Sequence, residues 1–365
     1  MISPIIPDYS GANLRGIVPA LLAPRSALPS WMPAPARGAD RFVLLVLDGL
    51  GWEQLQARRS FAPTLSAMQG GAITSVAPST TATALTSITT GLTPGEHGIV
   101  GYRIDVGGEV LNVLRWNTSH GDARRQIEPM VTQPFQPFLG ERVPVVSKAE
   151  LEGSAFTEAH LRGSDPQGWR SISSIPVVIA GLLARGERFV YAYYDGVDKI
   201  AHERGFGPYY DAEVAIADRL VADVLAVLPS DVVLLVTADH GQVQVGTNEV
   251  APHADVLQRT RYQSGEGRFR WLHARPGAAD DLLAAAQHHY GDVAWVRSRQ
   301  QAIDEGWFGP VVSPPIAGRY GDVALVPFEP ISFHDPADSG PYPLVCRHGS
   351  LTSAEMLVPL LAATG

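Results

Sequence analysis

Three stretches of the chain are apolar or aromatic at every position rather than at every second one: Phe42 to Leu47 (FVLLVL), Phe189 to Tyr194 (FVYAYY) and Val232 to Val236 (VVLLV). A strand with one face in water alternates, whereas a strand covered on both faces does not, so these runs predict interior strands of a parallel sheet. Each run stops at a carboxylate beside glycine, in Asp48-Gly49, Asp195-Gly196 and Asp239-His240-Gly241. Between the runs, the spacing predicts helices over Thr81 to Thr90, Ile175 to Arg185 and the amphipathic Tyr210 to Leu228. The alternation implies an α/β fold, an open, mostly parallel sheet with helices on both faces. Ligands of such sheets bind beyond the carboxyl ends of the strands, so three strand-end aspartates are expected to converge on one crevice.

The remaining segments read as additions to that core, which itself takes in 41–101 and 171–257. Residues 1–40, rich in Pro, Ala and Arg with Pro29, Pro33 and Pro35 close together, predict an irregular amino-terminal arm. Residues 102–170, holding Trp116, Pro129, Pro134, Pro137 and Pro144, are expected to form an irregular cap inserted over the crevice. Residues 258–339 predict a small α+β lobe: a strand from Phe269 to Ala274, a helix from Ala278 to Tyr290, and strands from Val293 to Arg297 and Asp322 to Pro327. Residues 340–365 then return to the core. No repeat of solenoid type and no low-complexity tract is present.

Composition narrows the classes of function. Among 365 residues, 45% hydrophobic and 18% charged content is that of an ordered globular chain. A formal net charge of −9 argues against a nucleic-acid surface or an anionic membrane as partner, since both reward clustered Lys and Arg. Any polyanion needs a local positive site, and metal ions held by Asp and His supply one. The single cysteine, Cys346, excludes an internal disulfide or a thiolate zinc cluster and favours a reducing compartment. Met1 to Pro24 does not follow the pattern of a signal peptide, and no segment reaches the roughly 20 apolar residues of a membrane span, so a cytoplasmic location is the expectation.

Taken singly, the candidate chemical groups are ambiguous. Asp239 and His240 reach one ion only where the chain turns, which Gly241 permits, but such pairs also cap helices and make buried hydrogen bonds. Asp198 and His202 share one face of a helix at the i,i+4 spacing, as metal ligands do and as exposed helix pairs do. Asp48 reads equally as the N-cap of a helix starting near Trp52, and His348 as a loop histidine. Around Pro78 to Leu85 four hydroxyls (Ser79, Thr80, Thr81, Thr83) lie at a helix start, and spacing does not choose among them. A phosphoryl oxygen placed there meets free N–H groups and the positive end of the helix dipole.

Taken together and in order, Asp48, Thr81, Asp198, His202, Asp239, His240 and His348 resemble the metal and nucleophile set of the alkaline phosphatase superfamily, and most closely its nucleotide pyrophosphatase/phosphodiesterase branch. The blocks that carry the likeness are LDGL (Leu47 to Leu50), PSTTATALTSITTGLTPGEHGIVG (Pro78 to Gly101), DGVDKIAH (Asp195 to His202), TADHG (Thr237 to Gly241) and HGSLTSAEMLVPL (His348 to Leu360). They span the core and leave out the arm and both insertions. The resemblance implies an alkaline-phosphatase-like sheet. It also implies two Zn2+ ions, one held by Asp198, His202 and His348 and the other by Asp48, Asp239 and His240, with Thr81 directed toward the second. Oxygen and nitrogen ligands without thiolate suit zinc and are compatible with Mn2+. Implied too is hydrolysis of a small phosphodiester, or a nucleotide pyrophosphate, through a covalent phospho-Thr81 intermediate. The sequence leaves the oligomeric state open.

The chain also departs from that branch. Ala82, Thr83, Ala84 and Leu85 follow the nucleophile where the branch has an aromatic residue and Pro-Asn-His. Tyr102 stands where the branch has an asparagine that contacts a phosphoryl oxygen; it either donates its hydroxyl to that oxygen or packs. Two alternatives therefore stay open: a phosphomonoesterase, for which Arg103 or Arg115 would answer the extra charge, and a catalytically silent metal-binding relative. Asp195 is expected to orient Asp198 or a ligand histidine, and Lys199 to face either phosphate or solvent. Trp116, Tyr194 and Phe206 are candidates for a pocket or for the core, and His120, His253 and His334 for surface or core positions.

Overall fold

The computed structural model describes residues 2–23, 28–338 and 343–365. The expected junction of lobe and returning core at 339/340, and residues 1 and 24–27 of the arm, lie outside the described residues. The main sheet has seven strands: β1 Arg41–Leu47, β2 Gln69–Thr74, β3 Pro144–Val146, β4 Asp165–Pro166, β5 Phe189–Tyr194, β6 Val232–Thr237 and β7 Leu357–Thr364. Their order across the sheet is β2-β7-β6-β1-β5-β3-β4. The three apolar runs are its parallel centre, with Leu44 of β1 level with Leu235 on one side and Tyr191 on the other. β3 and β4 extend the parallel set, while β7 runs antiparallel between β6 and β2. All six residues of β5 and of β6 are buried, which is why neither alternates.

The expected helices form as α1 Thr81–Thr90, α2 Ser174–Ala184 and α4 Pro208–Val227, with α3 Gly196–Arg204 carrying the Asp198/His202 pair. Pro208 opens α4, where its fixed φ suits the first turn and its missing N–H costs nothing. α1 stops at Gly91, whose φ of 73° lies in the left-handed region.

Residues 102–170 differ from the irregular cap the sequence suggested. They begin with a four-stranded ribbon sheet (Arg103–Val106, Glu109–Asn112, Asn117–Thr118, Gly121–Asp122) and then supply β3 and β4 to the main sheet. Strands of two to four residues, two of them containing Pro144 and Pro166, are too short to show a period. The lobe holds the expected elements together with a fourth strand of its sheet, Thr260–Glu266, whose polar sequence TRYQSGE hid it, two short helices (Arg299–Asp304 and Pro314–Ala317) and a two-residue strand, Ser332–Phe333. The arm is tied to the body by Tyr9, which donates to Trp307 O (2.8 Å), and by Ile5 N–H, which donates to Leu351 O (2.8 Å). Among the described residues no helix is long and apolar enough to cross a membrane.

Candidate active site

Because β6, β1 and β5 are parallel neighbours, the residues just past their ends come together. Asp48 follows β1, Asp239 lies two residues past β6, and Asp198 sits in the first turn of α3 after β5. Asp48 is not a helix cap: the next helix, Trp52–Ala57, takes Gly51 as N-cap and has no side-chain cap. Gly241 is needed for a reason other than the turn. Its φ is not positive, but a Cβ there would stand 2.0 Å from Ala354 O, so the chain after His240 packs directly on another backbone.

The three histidines share one device. Nδ1 lies 2.7 Å from Cys346 O in His202, 3.0 Å from Gly241 O in His240 and 3.0 Å from Ser79 O in His348. A carbonyl only accepts, so Nδ1 carries the proton and each Nε2 turns a lone pair inward. His202 Nε2 lies 3.2 Å and His348 Nε2 3.8 Å from Asp198 Oδ1. His240 Nε2 lies 3.4 Å from Asp48 Oδ1 and 3.5 Å from Asp239 Oδ2. Two groups of donor atoms are compact enough to hold an ion, Asp48/Asp239/His240 and Asp198/His240/His348. His240 is common to both, whereas His202 adjoins the second group through Asp198.

Two of the carboxylates, Asp48 and Asp239, are held on one side and bare on the other. Asp239 Oδ1 accepts the N–H groups of Gly49 and His240, both at 3.0 Å, and Asp48 Oδ2 accepts the Tyr193 hydroxyl. Asp48 Oδ1 and Asp239 Oδ2 are buried with no hydrogen-bond partner. Asp198 Oδ1 accepts from Gln242 at 2.8 Å. Burial, and then the charges of Asp239 and Asp198, push Asp48 well above the usual carboxylate range. Burial pushes Asp198 up, and burial followed by the His240 and His202 charges pushes His348 well down. Bare carboxylate oxygens and inward lone pairs at such distances repel, and a cation among them offsets both the repulsion and the lost hydration. The residues present therefore fit divalent metal ions.

Of the four hydroxyls at the start of α1, three make no hydrogen bond to the site histidines. Ser79 donates to Ser350 O (2.7 Å), Thr80 donates to Glu266 (2.8 Å), and Thr83 Oγ1 is buried without a partner. Thr81, the first residue of α1, places its Oγ1 3.1 Å from His240 Nε2. Beside it opens a cavity of about 280 Å³, whose lining includes the apolar Leu85, Leu114, Leu151 and Phe156 as well as Tyr193 and Lys199. Asp195 is clamped between Lys148 and Lys199, each 2.6 Å away, so Lys199 is paired at the rim. The Tyr102 hydroxyl accepts from Asn112 (2.7 Å) in the ribbon sheet, and Arg103 is buried between Asp335 and Asp338.

The remaining aromatic candidates serve packing. Trp116 donates to Ile127 O, Tyr194 donates to Glu213, and Phe206 packs edge-on against Tyr210. His120 is exposed beside Glu109, His334 is half-buried beside Glu249, and His253 accepts from Asp255 N–H. Sequence reasoning missed Tyr193, Gln242 and Glu266. Tyr193 was hidden inside an apolar run, and Glu266 in a lobe strand with no motif.

The family profile described as "Type I phosphodiesterase / nucleotide pyrophosphatase" matches residues 42–171 and 178–350. No curated protein sequence matches the chain. Among solved structures, mouse ectonucleotide pyrophosphatase/phosphodiesterase 5 superposes with a TM-score of 0.65 at 13% identity, covering 88% of this chain and 87% of that one. An inactive threonine-to-alanine form of the mouse protein, in complex with AMP, matches equally well. Phosphonoacetate hydrolase from Sinorhizobium meliloti 1021, in complex with phosphonoformate, gives 0.62 at 17% identity, covering 88% and 89%.

Proposed function

Because the chain belongs to the type I phosphodiesterase/nucleotide pyrophosphatase family, a branch of the alkaline phosphatase superfamily of phosphoesterase hydrolases, we propose that it cleaves a small phosphodiester or nucleotide pyrophosphate by way of Thr81. The observation that carries this reading is the 3.1 Å approach of Thr81 Oγ1 to His240 Nε2, the donor atom common to both candidate ion positions. Asp198, His202 and His348 would hold one ion and Asp48, Asp239 and His240 the other; Zn2+ is the first choice for this donor set, with Mn2+ compatible. Such ions lower the pKa of the hydroxyl and neutralise the phosphoryl oxygens.

Thr81 Oγ forms a bond to phosphorus as the bond to the leaving oxygen breaks; the hydroxyl proton passes to solvent and the departing alkoxide takes one up. Water then cleaves the Thr81–phosphoryl bond and restores the hydroxyl. The α1 amino terminus holds the phosphoryl oxygens by its N–H groups and dipole. The cavity takes the organic group of one ester arm, and at about 280 Å³ it suits a compact one.

A diester is favoured over a monoester by charge. Lys199 is the one cationic side chain among the described residues lining the cavity, and it is ion-paired with Asp195, which it shares with Lys148. Arg103, a sequence candidate for the extra monoester charge, is paired twice. The test compares bis-p-nitrophenyl phosphate with p-nitrophenyl phosphate on the metal-loaded protein. Faster turnover of the diester is expected, together with its loss by at least about 10³-fold in Thr81→Ala at unchanged metal content. Preference for the monoester would replace the reading with a phosphomonoesterase, and no chelator-sensitive turnover of either would favour a silent relative.

A further inference from the structure

The hairpin of the small lobe reaches the start of α1. Its strands, Thr260–Glu266 and Phe269–Ala274, are joined by a tight turn at Gly267 and Arg268. Arg268 is completely buried and fixes the turn: its guanidinium makes two 2.7 Å bonds to Glu355 and donates to the carbonyls of Glu329 and Ile331. Glu355 in turn accepts from Ser350 N–H (3.0 Å), two residues past His348, and its main-chain oxygen accepts from Gly241 N–H (2.8 Å). Glu266, two residues before Arg268 in the hairpin, is thereby set against the nucleophile loop. One carboxyl oxygen accepts the Thr80 hydroxyl at 2.8 Å; the other is buried with no hydrogen-bond partner.

Thr80 is the N-cap residue of α1. A threonine there ordinarily turns its hydroxyl oxygen back to the N–H of the second or third helical residue, here Ala82 or Thr83. Thr80 does not: its backbone has the extended cap conformation, but no side-chain cap bond forms, because the hydroxyl points to Glu266. The same N–H groups are the ones a phosphoryl oxygen at Thr81 would use. Left to itself, Thr80 is an internal competitor for the substrate.

We propose that Glu266 is a positioning residue for the reaction, which draws the Thr80 hydroxyl off the amino terminus of α1 and so keeps its first N–H groups open to the phosphoryl group. A contact made only for stability would not leave a buried carboxyl oxygen without a partner, since that lowers stability. The inference rests on the reading of Thr81 as nucleophile.

The test uses the full, metal-loaded chain, with bis-p-nitrophenyl phosphate as substrate and inorganic phosphate as competitive inhibitor. In Glu266→Ala, Thr80 swings back to cap α1. The phosphate inhibition constant should then rise, and kcat/KM fall, by about fivefold, the worth of one cap bond, while the melting temperature holds or increases. Glu266→Gln keeps the acceptor and should stay within about twofold of wild type. Removing the competitor as well, in Glu266→Ala with Thr80→Ala, should restore most of the phosphate affinity. The proposal is overturned if Glu266→Ala leaves phosphate inhibition unchanged, if its loss of activity comes with a lower melting temperature or lost metal, or if the added Thr80→Ala brings no recovery. Retained turnover in Thr81→Ala would instead remove the underlying reading, so the two failures are distinguishable.

Discussion

A residue acts here through what holds it as much as through what it offers. Each site imidazole is locked by a carbonyl on Nδ1, and Asp239 by two main-chain N–H groups, so the donor atoms are set before any ion arrives. His202→Ala and Asp239→Asn are each expected to cut metal content, measured by elemental analysis after dialysis, to well under half of wild type. Full occupancy in both would refute the ligand assignment. That Asp48, Asp198, His202, Asp239 and His240 come close was expected from the strand ends and the i,i+4 pair, whereas His348 was picked out only by the family resemblance. Which of four hydroxyls faces them was not legible from spacing, and only the resemblance pointed to Thr81, because that depends on the partners of Ser79 and Thr80, which come from residues 350 and 266. Tyr193 and Gln242, which hold Asp48 and Asp198, carry no local mark of that role.

At the scale of elements, β1, β5 and β6 were readable because double burial leaves a run of apolar residues with nothing else to mean. β3 and β4 were not, being two or three residues long, and neither was β2, whose sequence QGGAIT looks like a turn. The end of β6 leads into a turn that has no room for a side chain. Gly241→Ala would set a methyl 2.0 Å from Ala354 O, a backbone atom that cannot step aside cheaply. We expect a loss of about 2 kcal/mol or more in urea unfolding together with weakened metal binding, since the strain falls on the residue after His240. A neutral outcome would show the turn to be pliable.

Over the whole molecule, the site draws on residues from 48 to 348, so ion binding and global stability are coupled. A chelator should lower the melting temperature as well as stop turnover; at free metal 100 times the dissociation constant, each ion contributes about 2.7 kcal/mol. Identical melting with and without chelator would contradict ion binding by the folded state. Acid acts on a different set of groups. Burial, and then Arg319, push His97 down to about 3, and it bridges Ser87 and Ile99 N–H as a neutral ring. Below its ordinary pKa near 6.5 the unfolded chain takes up a proton that the folded chain refuses, so stability falls as pH drops from about 6.5 toward 3. The expected loss from this one group is about 2 kcal/mol at pH 5, and His97→Gln should flatten the acid limb of the unfolding free energy.

β7 enters the sheet between β2 and β6, although residues 357–364 are the last of the seven strands to be synthesised. Until they are in place, the sheet has a gap flanked by two open edges, and the segment that follows His348 has no strand to join. Chains cut short upstream of β7 should therefore be insoluble rather than merely inactive, because an open strand edge recruits its like from neighbouring chains.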